Sequence, residues 1–273
     1  MPSAPASATP ARNQALSLPL RRQRLGEREG YRVWLPDEQR VEWHPGTLAL
    51  IVCDVWLRHE CRGAEERMAR LLPRMDELIA ALRDAGALIA HAPSGTIPVY
   101  EGQPARERVL AVPAVEPPPD LAHDDPPLPV DSADACDTVP DHDHPKHEKG
   151  MPYPHTRQHD AISIDQERDV ISADGRELYS YFRHRGIAHV LELGVHTNMC
   201  ILNRTFSIKQ MVRWGVEIAL VRDLTDAMYN PARPPYVSHE EGTRLVVEYI
   251  EKFWCPTVTS DQVLAAVRRG GGA

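Results

Sequence analysis

The chain of 273 residues has little basic charge, few cysteines and no long apolar segment. Its 31 Lys and Arg residues are outnumbered by 39 Asp and Glu residues, which gives a formal net charge of −8. Because a nucleic-acid surface needs a basic stripe, this balance argues against nucleic acid as a partner. No apolar run approaches the roughly 18 residues of a membrane span, so we expect no membrane partner either.

The five cysteines are scattered and odd in number, so they do not form a recognisable disulfide framework. They are Cys53, Cys61, Cys136, Cys200 and Cys255. The N-terminal stretch 1–12 is rich in Ala, Ser and Pro and lacks the apolar region of a secretory signal. The sequence therefore predicts free thiols and a cytoplasmic protein, although any one thiol could be a small buried hydrophobe.

No Walker loop is present, and no Gly-x-Gly-x-x-Gly follows the first apolar run, so we expect no nucleotide cofactor. Residues 1–30 show no periodic apolar pattern and are predicted to be a disordered or loosely attached arm. Residues 31–273 are predicted to form one domain, with a long loop at about 113–159. This loop is rich in Pro, Asp and His, and a loop of that length is usually functional or disordered.

Apolar runs alternate with helical patterns along the domain. The run 47–53 is continuous, as in a parallel strand buried on both faces. Five more strands are predicted, at 87–91, 160–164, 188–195, 216–221 and 257–259. This alternation predicts an α/β fold: a three-layer, Rossmann-like, doubly wound parallel sheet. Functional side chains are expected at the carboxyl ends of the strands.

A candidate nucleophile lies in the segment Gly194-Val-His-Thr-Asn-Met-Cys200. An apolar strand ends at Val195, and a helix is predicted to begin within a few residues. Cys200 would then lie in the first turn, where free N–H groups favour a thiolate and can serve as an oxyanion hole. The alternative is a buried structural cysteine.

Asp54 directly follows the first buried strand. A carboxylate there is costly unless it is solvated, paired or used in chemistry. By itself it could be a helix cap or a loop residue. Together with Cys200, it would supply the minimum for nucleophilic catalysis, a thiol with a nearby acid or base.

These residues resemble the isochorismatase-like cysteine hydrolases, which include nicotinamidases and N-carbamoylsarcosine amidase. The likeness rests on Asp54, the turn at 194–200, Asp223 and the Ser238-His239 segment, and it covers roughly residues 47–263. It implies a six-stranded parallel sheet in the order 3-2-1-4-5-6, and a homo-oligomer, either a dimer or a tetramer.

The resemblance also implies a cis peptide between Val195 and His196, with the backbone N–H groups of His196 and Cys200 as oxyanion donors. The family's catalytic triad is Asp, Lys and Cys, and this sequence departs from it at the lysine. Asp165 stands at the position where the predicted third strand ends. The long loop offers three possible substitutes for the cation: Lys146, Lys149 and Arg157.

Six side chains near strand ends or in the nucleophile turn are predicted to line a substrate pocket, although each could be packing: Trp56, His59, His91, His196, Asn198 and Tyr229. The loop also carries a histidine cluster between His142 and His159. It could hold a metal or could be a solvated polar loop. The Asp-x-His spacing of the nicotinamidase metal site is absent, so we expect no metal.

The sequence therefore predicts a cysteine-dependent hydrolase that acts on a small amide, ureide or related C–N compound through a thioester-type intermediate. Two alternatives stay open. One is a catalytically inactive small-molecule binding protein of the same fold, which the missing lysine would favour. The other is a metal-assisted hydrolase that uses the His-rich loop.

Overall fold

A computed structural model describes residues 14–148 and 150–270. The strands are β1 Leu16–Arg28, β2 Tyr31–Trp43, β3 Leu48–Cys53, β4 Leu88–Ala92, β5 Val170–Ile171, β6 His189–Val195, β7 Glu217–Asp226 and β8 Thr257–Val258. The helices are α1 Arg62–Ala85, α2 Pro104–Leu110, α3 Gly175–Arg185, α4 Cys200–Asn203, α5 Ile208–Arg213, α6 His239–Phe253 and α7 Ser260–Gly270. Within the described residues, no helix is long and apolar enough to cross a membrane.

One sheet of eight strands, in the order β2-β1-β8-β7-β6-β3-β4-β5, forms the centre of the molecule. Strands β3 to β8 run parallel to one another. Counted as strands one to six, they follow the predicted order 3-2-1-4-5-6. The predicted α/β sheet is confirmed, with two additional antiparallel strands at the β8 edge. The order reverses beside β3, which is where α/β folds place their sites.

The continuous apolar run of β3 is explained by burial on both faces of the sheet. All six of its residues are buried. The even-numbered residues pack in one core cluster and the odd-numbered residues in the other. Helices cover both faces, so the carboxyl ends of β3, β4 and β6 meet at one edge of a rigid three-layer structure.

The prediction of an unstructured arm at 1–30 is wrong for the part of it that the structure describes. Residues 16–28 and 31–43 form a long β-hairpin, and the predicted boundary at residue 30 falls in its turn. Leu16, Leu18 and Leu20 are buried on one face of β1. Three alternating leucines in an otherwise charged stretch are too weak a pattern to reveal a strand. Residues 1–13 lie outside the described residues.

The third parallel strand also differs from its prediction. Residues 160–164 form a turn, and the strand that pairs with β4 is the short β5. The two residues of β5 are too few to show the alternating pattern of a strand. The apolar Ile162, which is buried, gave the stretch 160–164 its resemblance to a strand. The residue that follows this strand is therefore Ser172, not Asp165, and neither residue is a cation.

The long loop is tied to the rest of the domain. In the segment 111–169, the described residues form neither helix nor regular strand, but Gln158 pairs with Trp56 in an isolated β-bridge. A disulfide joins Cys136 in this loop to Cys61, which precedes α1, with the two Cα atoms 5.5 Å apart. The expectation of five free thiols is therefore wrong for this pair. Their sequence separation of 75 residues gave no sign of their proximity.

Candidate active site

Asp54 and Cys200 meet at the carboxyl edge of the sheet, as their positions after β3 and β6 predict. Asp54 is fully buried and has φ of 51°, a left-handed conformation that is uncommon outside glycine. Its Oδ1 accepts a hydrogen bond from the backbone N–H of Ser94 at 2.7 Å. Gly194 allows the two strand ends to approach closely, because a Cβ there would lie 1.9 Å from the carbonyl oxygen of Cys53.

Cys200 is the first residue of α4, and the Asp54 side chain and the backbone N–H of His196 lie close enough to its thiol to affect the thiol pKa. Burial and then the charge of Asp54 raise the pKa of the Cys200 thiol to about 12, although Arg204 opposes this shift. The thiolate expected at a helix N-terminus is thus disfavoured by burial and by the charge of Asp54. The resting group is a thiol, and it needs a base to become a nucleophile.

Arg204 provides the positive charge beside this pair, and sequence reasoning missed it. Its Nε donates to Oδ2 of Asp54 at 2.9 Å. Its backbone N–H donates to the carbonyl of Cys200, so the arginine begins one helical turn beyond the nucleophile. One signal in the sequence could have identified Arg204. It lies four residues after Cys200, and this spacing places two side chains on the same helix face.

Among the described residues, the predicted substitutes for the lysine do not pair with Asp54. Arg157 forms an ion pair with Asp160 at 2.7 Å, and Asp165 forms one with Arg168 at 2.6 Å. Lys146 is exposed on the loop. Lys149 lies outside the described residues. Arg157 in the loop and Asp165 after it are thus wrong as substitutes, because each pairs with a neighbour three residues away.

The turn between Asp54 and Cys200 carries backbone donors. The peptide between Val195 and His196 is cis, as the resemblance implies. The backbone N–H of His196 lowers the pKa of the Cys200 thiol, and the next residue, Thr197, donates its N–H to the Asp226 carbonyl at 2.9 Å. Within the described residues, the His196 N–H donates to no backbone carbonyl, whereas the Thr197 N–H is used to hold the turn.

Behind this turn, His59 and His196 form a hydrogen-bonded pair. The backbone N–H of Cys61 donates to Nδ1 of His59 at 3.0 Å, so a neutral His59 carries its proton on Nε2. That nitrogen lies 2.9 Å from Nε2 of His196, whose Nδ1 faces the Asp226 carbonyl at 3.2 Å. These hydrogen-bond partners place the proton of neutral His59 on Nε2 and the proton of neutral His196 on Nδ1.

Both rings are neutral near pH 7. Burial and then the neighbouring His196 lower the pKa of His59 to about 2. Burial also lowers the pKa of His196 to about 4, although Asp226 opposes the shift. His59 and His196 therefore add no positive charge beside the thiol, and Arg204 is the cation that contacts the Asp54–Cys200 pair.

Three of the predicted substrate-binding side chains use their polar groups inside the protein. His91 is fully buried between Gln158 and Asp169, at 3.0 Å from each. Asn198 makes two hydrogen bonds to the backbone of Met228. Tyr229 is buried, and its hydroxyl donates to the Arg233 carbonyl. The prediction of a binding role is corrected for these three: they brace loops around the site.

Trp56 closes one side of the site beneath the long loop. Its ring stacks on His155 with centroids 3.8 Å apart, and Tyr153 stacks in turn on His155 at 5.2 Å. The indole N–H donates to the Ser94 carbonyl at 3.1 Å. The loop is thus held by aromatic stacking as well as by the disulfide, and its His155 serves as a packing group.

The donor set for a metal ion is poor. Within the described residues, one group of metal-ligating side chains has its ligand atoms within 4.8 Å of one another, namely Cys61, Cys136 and Asp137. Both sulfurs belong to the disulfide, and Asp137 forms an ion pair with Arg67 at 2.6 Å. These residues do not fit a metal ion while the disulfide is formed.

Glu192, on β6 behind the site, is a buried acid that sequence reasoning overlooked. Its Oε1 accepts a hydrogen bond from the Ser207 hydroxyl at 2.6 Å, while Oε2 has no partner among the described residues. Burial raises the pKa of Glu192 well above its usual range, and Asp54 adds to the shift. Burial thus favours the neutral form of Glu192.

This shift predicts a pH-dependent stability that Glu192→Gln should remove. Because the folded-state pKa is raised, the contribution is fully present below the unfolded value of about 4.3 and is lost as pH rises through the folded pKa. Within that window, wild type should lose up to about 1.4 kcal/mol per pH unit relative to the variant. Denaturant unfolding of both proteins across pH checks this; parallel curves would contradict it.

Comparisons with known proteins identify the fold. No family model and no curated protein matches the chain. Among solved structures, it is similar to a cysteine hydrolase from Pseudomonas syringae pv. phaseolicola, with 17% identity, a TM-score of 0.50, and coverage of 83% of this chain and 94% of that one. An isochorismatase from Pseudomonas putida gives 10% identity, a TM-score of 0.48, and coverage of 80% and 91%. The chain therefore shares the fold of the Pseudomonas syringae cysteine hydrolase.

Proposed function

We propose that the protein is an isochorismatase-like cysteine hydrolase that cleaves a C–N bond in a small amide, ureide or related compound. One observation carries the proposal: the Asp54 carboxylate and the backbone N–H of His196 both lie close enough to the Cys200 thiol to shift its pKa, in opposite directions. A nucleophile, a base and an oxyanion donor thus converge on one atom, which is the constellation that acyl transfer needs.

The first half-reaction acylates the thiol. Asp54 takes the Cys200 proton as the sulfur attacks the carbonyl carbon, and the carbonyl oxygen becomes an oxyanion held by the His196 N–H. As this intermediate collapses, the C–N bond breaks, and Asp54 returns its proton to the departing nitrogen. Ammonia or an amine leaves, and a thioester remains on Cys200.

The second half-reaction uses water. Asp54 takes a proton from the water as its oxygen attacks the thioester carbon. The C–S bond then breaks, the proton passes to the sulfur, and a carboxylic or carbamic acid leaves. Arg204 stays charged throughout, because a guanidinium does not give up its proton near neutral pH. It stabilises the Asp54 carboxylate, and Asp54 alone carries the proton in both half-reactions.

Acyl-enzyme trapping tests this function. The protein is mixed with a panel of primary amides, ureides and N-carbamoyl compounds, quenched in acid and digested for mass spectrometry. We expect amine release with at least one compound, together with an acyl adduct on the peptide that contains Cys200. The Cys200→Ala variant should show neither. Turnover that persists in Cys200→Ala would refute the thiol mechanism, and a panel that binds without any adduct would indicate an inactive binding protein.

A further inference from the structure

One hydrogen bond joins the two segments that carry the proposed base and the nucleophile. His59 follows Asp54 in the segment after β3, and His196 precedes Cys200 in the turn after β6. Nε2 of His59 lies 2.9 Å from Nε2 of His196, and both side chains are buried. Because a buried ring nitrogen without a partner is costly, this contact holds the two rings together.

The ring of His196 is anchored at both nitrogens. Nδ1 faces the carbonyl of Asp226 at 3.2 Å, and Nε2 faces His59. The peptide that follows is held separately, since the N–H of Thr197 donates to the same carbonyl at 2.9 Å. No backbone carbonyl in the described part of the chain accepts from the N–H of His196 itself. The direction of that N–H therefore depends on how the ring of the same residue is held.

We propose that His59 is a positioning residue: by holding the ring of His196, it aims the His196 backbone N–H at the oxyanion that forms beside Cys200. This N–H lies close enough to Cys200 to lower the pKa of its thiol. Oxyanion donors act because they are aligned in advance, and a misplacement of about 1 Å can cost roughly 100-fold in rate. The inference rests on the proposed function, because it takes Cys200 as the nucleophile.

Two substitutions separate the two contacts of the His59 ring. Its Nδ1 accepts from the backbone N–H of Cys61 at 3.0 Å, and its Nε2 reaches His196. The side-chain oxygen of asparagine takes the place of Nδ1, so His59→Asn keeps an acceptor for Cys61 but does not reach His196. The side-chain nitrogen of glutamine takes the place of Nε2, so His59→Gln keeps a donor for His196.

Two reagents separate acyl transfer from thiol reactivity without a known substrate. The ester p-nitrophenyl acetate forms an S–C bond to Cys200 through an oxyanion intermediate, and p-nitrophenolate leaves. Iodoacetamide also forms an S–C bond to Cys200, but iodide leaves and no oxyanion develops at the reacting carbon. In both reactions the thiol proton passes to Asp54 and then to solvent. The measured quantity is the ratio of the acylation rate to the alkylation rate, read by mass spectrometry on the peptide that contains Cys200.

We expect His59→Asn to lower this ratio by about tenfold or more, because acylation loses an aligned donor that alkylation does not use. His59→Gln should restore most of the ratio. His155→Asn is the matched control, since it makes the same change in a neighbouring ring whose Nδ1 faces the Arg58 carbonyl at 3.0 Å. Its ratio should equal that of wild type.

The results that would overturn the inference are distinguishable. If the two rates of His59→Asn fall together and the ratio is kept, His59 only holds the two segments together, and the proposed function stands. A ratio as low in His59→Gln as in His59→Asn would show that the contact with His196 is not what matters. If wild-type Cys200 has the same ratio folded as in urea-unfolded protein, no oxyanion is stabilised there, and the proposed function fails together with the inference. Because the ratio compares two reactions of one protein, a partly destabilised variant can still be read.

Discussion

Replacing Asp54 with asparagine is expected to lower the rate of amide hydrolysis by about 10³-fold. The amide cannot accept the Cys200 proton or activate water, so both half-reactions lose their base. The same change removes a negative charge that raises the pKa of the thiol, while Arg204 stays in place. The thiolate fraction should therefore rise, and iodoacetamide should alkylate Cys200 at least as fast as in wild type.

This pair of measurements separates a catalytic role from a structural one. Steady-state hydrolysis and the rate of alkylation at Cys200 are measured on both proteins, with circular dichroism to check the fold. Asp165→Asn makes the same chemical change at a half-buried aspartate that pairs with Arg168, and it should alter neither rate. If Asp54→Asn loses alkylation together with hydrolysis, the carboxylate acts by holding the site together. Retained hydrolysis would show that another group is the base.

Removing the disulfide is expected to lower the free energy of unfolding by about 4 kcal/mol. The bridge spans 75 residues of sequence and so restricts the unfolded chain strongly in the loop-entropy description. The double variant Cys61→Ser/Cys136→Ser should unfold at lower denaturant concentration than wild type. Reductant should shift wild type towards the variant and leave the variant itself unchanged.

Non-reducing peptide mapping identifies the bridge directly. A cross-linked pair of peptides that contains Cys61 and Cys136 is expected, while Cys53, Cys200 and Cys255 should be recovered as free thiols. Recovery of Cys61 and Cys136 as free thiols from carefully oxidised protein would contradict the prediction. Equal denaturation midpoints for wild type and the double variant would show that the bridge adds no stability.

The bridge also lies close to the groups that hold the nucleophile turn. Cys61 donates its backbone N–H to His59, which pairs with His196. Asp137, the residue after Cys136, forms an ion pair with Arg67, whose Nε donates to Asp226 at 3.0 Å. The carbonyl of Asp226 accepts from the same turn, so the long loop and the nucleophile turn share one network of contacts.

The sequence by itself determined the frame of the protein and two of its site residues. Asp54 could be placed at the sheet edge because the apolar run of β3 ends immediately before it, and Cys200 because it follows the apolar run of β6. Parallel strands bring such ends to one edge whatever the loops do. A local pattern, an apolar run followed by a polar residue, was therefore enough to place both side chains at the same edge. The order of the six parallel strands agreed with the one that the family resemblance implies.

Only the tertiary structure decided how the site is completed. Arg204 balances Asp54 because the α4 turn brings a residue distant in sequence beside the end of β3. His91, Asn198 and Tyr229 serve the scaffold because their partners come from other segments. The sequence does not indicate whether a polar side chain forms its hydrogen bonds with the protein or with a ligand. That distinction depends on what lies within about 3 Å of its atoms, which folding alone sets.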